Sequence, residues 1–140
     1  MKYLAAMFLV AASATASLAE APCKSGNPNI FKFISWDVKP GKDEGGNDFA
    51  AFTLTFHNTL DKNLITATFG AAVNDKDGKP IENISFHLEK HAKASSDHTE
   101  TFEYGGFPAE DIARMQGTTP VLCAWQVVDE NNQTTDFLAQ

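Results

Sequence analysis

The amino-acid sequence predicts an all-β fold, a two-sheet Greek-key sandwich of about seven strands with one short helix near residues 108–116. Segments rich in Phe, Val, Ile and Thr alternate apolar and polar residues with the period of two that is typical of a half-buried strand. Polar turns containing Gly, Pro, Asn and Asp separate these segments, and a single stretch has helical signals. This pattern favours two packed sheets over a closed barrel.

The strongest strand pattern lies between residues 49 and 81. In its first run Phe52, Leu54 and Phe56 alternate with polar residues, so the even-numbered face is predicted to point inward. A polar turn follows each run. The second run is predicted to place its odd-numbered residues inward, and these are Ile65, Ala67, Phe69, Ala71 and Val73. We predict that the two strands are neighbours in a β-meander.

The stretch from Phe49 to Ile81 resembles bacterial FxLYD-type domains, which are immunoglobulin-like sandwiches of envelope proteins. The resemblance is carried by the segment HNTLDKNL between the two strands and by NDKDGKPI after the second strand. At the position of the family's aromatic-Leu-Tyr-Asp segment this chain reads AAVND. The resemblance implies an immunoglobulin-like sandwich and a location in the bacterial envelope, and it carries over no catalytic residue.

Residues 1–19 are predicted to be a secretory signal peptide. They combine an early cation with an apolar run that is short for a membrane span and with a small-residue end. Cleavage after Ala19 leaves residues 20–140 as a single β-sandwich domain with no membrane span. Pro22 stands directly before Cys23, where a lipid-anchored protein has a small residue, so a lipid anchor is not expected. The protein is therefore expected in the bacterial periplasm or to be secreted.

The charge of the mature chain argues against two classes of partner. Without the signal peptide the chain has ten Lys and Arg residues against eighteen Asp and Glu residues, a net charge of about minus eight. Nucleic acid and anionic membrane surfaces would repel such a chain at long range. Neither is therefore expected as a partner.

Export also determines how the two cysteines are interpreted. Cys23 and Cys123 are the only cysteines, and an oxidising compartment favours a structural disulfide between them. A redox role is not expected, because the chain has no Cys-x-x-Cys spacing. The bond would connect the mature N-terminus to a late strand.

The first strand, predicted at 30–38, is apolar on both faces. Phe31 and Phe33 alternate with Ile34 and Trp36, which predicts that the strand switches sheets midway or leaves an aromatic residue near the surface. Phe31, Phe33 and Trp36 are therefore a candidate interaction surface. In the alternative, the same aromatic residues fill a two-sided core where the sheets cross.

The remaining elements follow from shorter patterns. Phe102 and Tyr104 are predicted to point inward from the fifth strand. The helix is expected to link the fifth and sixth strands, with acidic residues in its first turn and Gly117 just past its end. Besides a loop at 39–47, we predict strands at 82–89, 99–104, 120–129 and 134–138.

Four histidines raise the alternative of a periplasmic copper or zinc site. His87 and His91 lie four residues apart, His98 follows, and His57 is on an outward strand face. Residues four apart on a strand stand about 13 Å from each other, too far to share one ion unless the strand breaks between them, as the loss of pattern at Lys90 would allow. Surface histidines without a bound metal are therefore the favoured interpretation. The segment from Asp75 to Gly78 does not fit a calcium loop, and its acidic residues are expected to stabilise a turn.

The sequence contains no motif of catalysis. Gly-x-Ser-x-Gly, His-Glu-x-x-His and phosphate-cradling glycine loops are all absent. We therefore expect a non-enzymatic, exported protein-binding or structural module without a cofactor. Its partner would be another envelope protein, bound through an edge strand or an exposed sheet face.

Overall fold

Seven strands and one helix are found in residues 23–138, the part of the chain that this computed structural model describes. The predicted signal peptide at 1–19 and its cleavage site lie outside the described residues. The helix α1 (Ala109–Met115) follows the fifth strand, and no helix of the described residues is long and apolar enough to cross a membrane. The strands are β1 (Phe31–Lys42), β2 (Asp48–Asn58), β3 (Leu64–Asn74), β4 (Pro80–Leu88), β5 (Asp97–Gly105), β6 (Val121–Asp129) and β7 (Thr134–Asp136).

The strands form two antiparallel sheets, which confirms the predicted all-β sandwich. One sheet has the order β1-β2-β5, and the other has the order β4-β3-β6-β7. Because β2 and β3 lie in different sheets, the predicted meander is wrong. The connection between them passes from one sheet to the other, and the buried side chain of Asn58 fixes it. This amide donates to the main-chain carbonyls of Lys62 and Lys93 and accepts from the amide of Leu60.

A β-bulge explains why β1 is apolar on both faces. The pairing of β1 with β2 shifts register after Phe33, and Ile34 is the extra residue. Phe31 is buried before the bulge and Val38 is buried after it, so the inward face changes from odd to even numbers within one strand. The strand therefore stays in its sheet, and Ile34 is left 46% exposed.

A second register shift changes which residues at the start of β3 are buried. Its pairing with β6 is irregular between Leu64 and Thr66, so Leu64 is fully buried and Ile65 is only partly buried. The prediction was wrong for Ile65. It is confirmed for the residues that follow in β3, which are Ala67, Phe69, Ala71 and Val73.

Phenylalanine rings from both sheets fill the core. Phe69 contacts Phe31, Phe56, Phe86 and Phe102 at centroid distances of 5.2 to 6.4 Å. These contacts join the two sheets, since Phe69 belongs to the four-stranded sheet and Phe56 to the three-stranded sheet.

The helix closes one end of the sandwich and links β5 to β6, as predicted. Ile112 and Met115 are its buried residues, and they anchor it to the core. The side-chain amide of Gln116 donates to the main-chain carbonyl of Val38 in β1. The helix is therefore attached to the three-stranded sheet as well as being connected to β6.

The three β-hairpins use the same loop, which begins with an aspartate. Asp43, Asp75 and Asp129 each accept, through one carboxylate oxygen, the main-chain amides two and four residues later at 2.8 to 3.0 Å. The prediction that acidic residues stabilise the turn is confirmed for Asp75. The fourth residue of each loop has positive φ, and these residues are Gly46, Gly78 and Asn132.

Two of these loops should make the fold sensitive to acid. Hydrogen bonds hold the carboxyl pKa below its ordinary value of 3.8, chiefly the one from the amide of Asn47 for Asp43 and the one from Lys79 for Asp75. A pKa lowered by folding contributes stability above the unfolded pKa, and this stability is lost as the pH falls through the folded pKa.

We expect the double variant Asp43→Asn, Asp75→Asn to lose less stability than the wild type as the pH falls below the ordinary aspartate pKa of 3.8. Asparagine keeps the accepting oxygen and does not titrate, so the loop geometry is retained. Urea unfolding of both proteins at several pH values measures the difference. Parallel loss of stability in the two proteins would show that these loops do not contribute to acid sensitivity.

Candidate functional site

The predicted disulfide is present at the outer face of the four-stranded sheet. Cys23 and Cys123 are bonded with their Cα atoms 5.7 Å apart, so the segment that precedes β1 is attached to β6. This segment continues along β6, where Asn27 and Ala124 exchange two main-chain hydrogen bonds of 2.9 Å. The bond therefore holds the start of the described chain against the sheet.

Trp125 is packed under the same segment. Its indole N–H donates to the carbonyl of Ser25 at 3.2 Å. A Cβ atom at Gly26 or at Gly70 would lie 2.6 or 2.7 Å from the indole ring, so both positions require glycine. A cavity of about 180 Å³ beside the ring is lined by the disulfide, by Gly70 and Ala72 of β3 and by residues 83–85 of β4.

The four histidines lie at separate places. His87 is on β4 near Thr68, His91 is exposed in the following linker, and His98 is largely buried on β5. His57 pairs with Asp97, with 2.8 Å between Nδ1 and Oδ1. Among residues 23–138 no group of three or more His, Cys, Asp and Glu side chains could hold a metal ion. The structure therefore does not bring His87, His91 and His98 together.

The sequence interpretation missed a buried carboxylate, Glu100. Its side chain is 4% exposed and accepts the main-chain amides of Glu89 and Lys90, each at 3.1 Å. His98 Nε2 lies 3.2 Å from the same carboxylate. The alternation that places Phe102 inward on β5 also places Glu100 inward, and a charged residue at such a position was the available signal. Glu100 fixes the chain where it leaves β4.

Tyr104 is a second contact between β5 and β4. Burial raises the pKa of its phenol above the ordinary value of 10.0, and the nearby charges of Glu89 and Glu100 raise it further. A hydrogen bond from the main-chain amide of His87 opposes these effects. Tyr104 thus accepts a hydrogen bond from the main chain of β4, and Glu100 accepts hydrogen bonds from the two amides that follow this strand.

The predicted interaction surface is only partly exposed. Phe31 is 1% exposed and belongs to the core, so the prediction was wrong for this residue. Phe33 and Trp36 are half-buried and pack on each other, and Trp36 also packs on Phe52 at 5.6 Å. The bulge accounts for this, because it turns both side chains toward the core.

Every edge of the two sheets carries a feature that opposes the addition of another strand. β1 contains the bulge at Ile34 and also Pro40, and β5 has the inward carboxylate of Glu100. β4 begins at Pro80, and the two main-chain amides that follow the end of β4 donate to Glu100. β7 has three residues, and beyond it Asn27 covers β6. The edge strands are therefore poor sites for binding by strand addition.

A larger cleft lies between the β3-β4 hairpin and the C-terminal end of α1. Its volume is about 630 Å³, and no histidine lines it. It combines charged and neutral polar side chains from segments about 40 positions apart in the chain. The lining residues are Asn74, Asp75, Lys76, Arg114, Gln116, Gly117, Thr118 and Thr119.

Arg114 is the charged centre of this cleft. Its Nη2 lies 3.9 Å from Asp75 Oδ2, and its Nη1 lies 3.7 Å from Asp111 Oδ1. Both distances are longer than a hydrogen bond, so the two carboxylates orient the guanidinium but leave its N–H groups free to donate. The side chain is 52% exposed, which makes these donors accessible from the cleft.

The walls of the cleft are held in place by internal hydrogen bonds. Asp75 binds the amides of its own loop, and Gln116 is bonded to β1. Thr118 closes the end of the helix by donating from Oγ1 to the carbonyl of Met115 at 2.6 Å. The cleft is therefore formed before any ligand binds.

Comparisons of the chain with protein-family models, with curated proteins and with solved structures found no match.

Proposed function

We propose that this protein is an exported, non-enzymatic binding module of the bacterial envelope, and that it binds another protein through the cleft around Arg114. The cleft carries this proposal, because it is larger than the cavity at the disulfide and its walls are already fixed. Binding is favoured over acid-base catalysis, since no histidine lines either cavity.

The strand order supports an immunoglobulin-like relationship. In immunoglobulin constant domains the first, second and fifth strands share one sheet, and the third, sixth and seventh strands share the other. The same grouping occurs here, while the fourth strand lies beside the third. The disulfide between Cys23 and Cys123 suits the oxidising compartment that export would provide.

The protected edges favour the cleft over strand addition as the mode of binding. A partner that added a strand would meet a bulge, a proline or an inward carboxylate at the longer edges. The cleft instead presents side-chain donors that the fold has not used.

Capture of a partner tests the proposal. Tagged protein is exported into the periplasm of its host, cross-linked, and compared with two charge-reversal variants, Arg114→Glu and Lys93→Glu. Lys93 is a matched control, because it is exposed and lies near the opposite end of β3, next to the pairing of Ala92 with Leu64. We expect one partner to be captured by the wild type and by Lys93→Glu, and to be lost from Arg114→Glu.

Two results would contradict the proposal. Capture that survives in Arg114→Glu would show that the cleft is not the binding site. Failure of the correctly folded, exported wild type to capture any partner would contradict the binding function itself.

A further inference from the structure

We infer that the Arg114 cleft binds a carboxylate group of a polypeptide, either the free C-terminus or an acidic side chain. This inference rests on the proposed function, and it names the chemistry that the cleft would recognise.

The guanidinium of Arg114 has the geometry that carboxylates require. A guanidinium donates two parallel N–H bonds to the two oxygens of a carboxylate, and such bidentate pairs are stronger than neutral hydrogen bonds. Asp75 and Asp111 lie at 3.9 and 3.7 Å, so they hold the planar group from two sides without completing this pairing. A ligand carboxylate that approached within hydrogen-bond distance would complete it.

Lys76 adds a second cation to the lining of the cleft, and the carboxylates beside Arg114 are Asp75 and Asp111. One oxygen of Asp75 already accepts the amides of Asp77 and Lys79. The preference for a carboxylate therefore rests on the free N–H donors of Arg114 and not on a net positive charge of the cleft.

The neutral lining residues fit a polypeptide better than a sugar or a base. Asn74 and Thr119 are exposed at the rim and offer donors and acceptors that suit a peptide main chain. No aromatic ring lines the cleft, so a flat ligand would have no stacking surface there.

The test is a titration of ¹⁵N-labelled protein with three short peptides, followed by NMR. The first is N-acetyl-trialanine with a free C-terminus, the second is its C-terminal amide, and the third is N-acetyl-Ala-Glu-Ala-amide. We expect the amide signals of Gly117, Thr118 and Thr119 to shift with the first or third peptide and to remain unchanged with the second. The first and third peptides distinguish a C-terminal carboxylate from a side-chain carboxylate.

Two substitutions of Arg114 separate the effect of its charge from the effect of its planar, forked shape. Arg114→Gln should weaken binding at least about ten-fold, because it removes the charged fork. Arg114→Lys keeps the charge and should bind at an affinity between those of the wild type and Arg114→Gln. Lys93→Gln, which alters a lysine outside the cleft, should bind as the wild type does. Spectra that match the wild type away from the cleft would verify that each variant is folded.

Equal shifts with the amidated trialanine, unchanged affinity in Arg114→Gln, or no shift with any carboxylate peptide would overturn the inference. The last result, combined with partner capture that depends on Arg114, would overturn only the carboxylate chemistry and leave the binding function supported.

Discussion

The double variant Cys23→Ala, Cys123→Ala is expected to have a free energy of unfolding about 4 kcal/mol lower than the wild type. The disulfide joins residues that are 100 positions apart, so its removal releases a long loop in the unfolded chain. Small domains are stable by about 5 to 15 kcal/mol, so this is a large fraction of the total. The sandwich should nevertheless still form, because the phenylalanine core does not depend on the bond.

Urea unfolding of the oxidised wild type, the reduced wild type and the double variant measures this effect. The reduced wild type is the matched control, since it lacks the bond but keeps both cysteine side chains. Reduction and substitution should lower the free energy of unfolding by similar amounts. A decrease of less than about 1 kcal/mol in both proteins would contradict a stabilising role for the bond.

Removing the carboxylate of Glu100 is expected to have the second largest effect. Glu100→Ala should lower the free energy of unfolding by about 3 kcal/mol, since it leaves the amides of Glu89 and Lys90 without their acceptor. His98 would also lose its contact with the carboxylate. The linker between β4 and β5 should then open more readily than the core, and hydrogen exchange at these two amides would detect this.

Glu103→Ala is the control for this prediction, because Glu103 is exposed on the same strand. Its substitution should change stability by no more than about 0.5 kcal/mol. Glu100→Gln keeps one accepting oxygen without the charge, so its stability should lie between those of the wild type and Glu100→Ala. Equal stability of Glu100→Ala and Glu103→Ala would show that the buried carboxylate does not hold the linker.

The candidate site shows where sequence patterns stop being informative. Asp75 was recognised as a turn residue, and a short helix was predicted over the residues that include Arg114. Each prediction described only local structure, and each was confirmed. Their proximity follows from packing the helix onto one end of the sandwich, which places its C-terminal turn beside the β3-β4 hairpin. No spacing along the chain encodes this contact.

The sequence by itself determined which segments became strands, apart from residues 39–42 of β1, where a loop was predicted, and also which face of β2 was buried and where the helix lay. These features depend on interactions between residues close in the chain and on which face of a strand is buried. The local alternation of apolar and polar residues encodes both of these properties. The tertiary structure alone decided that β2 and β3 belong to different sheets, that β1 bulges at Ile34 and that Arg114 faces Asp75. Alternation has the same period in either sheet, so the choice of neighbours depends on long-range packing of the whole core.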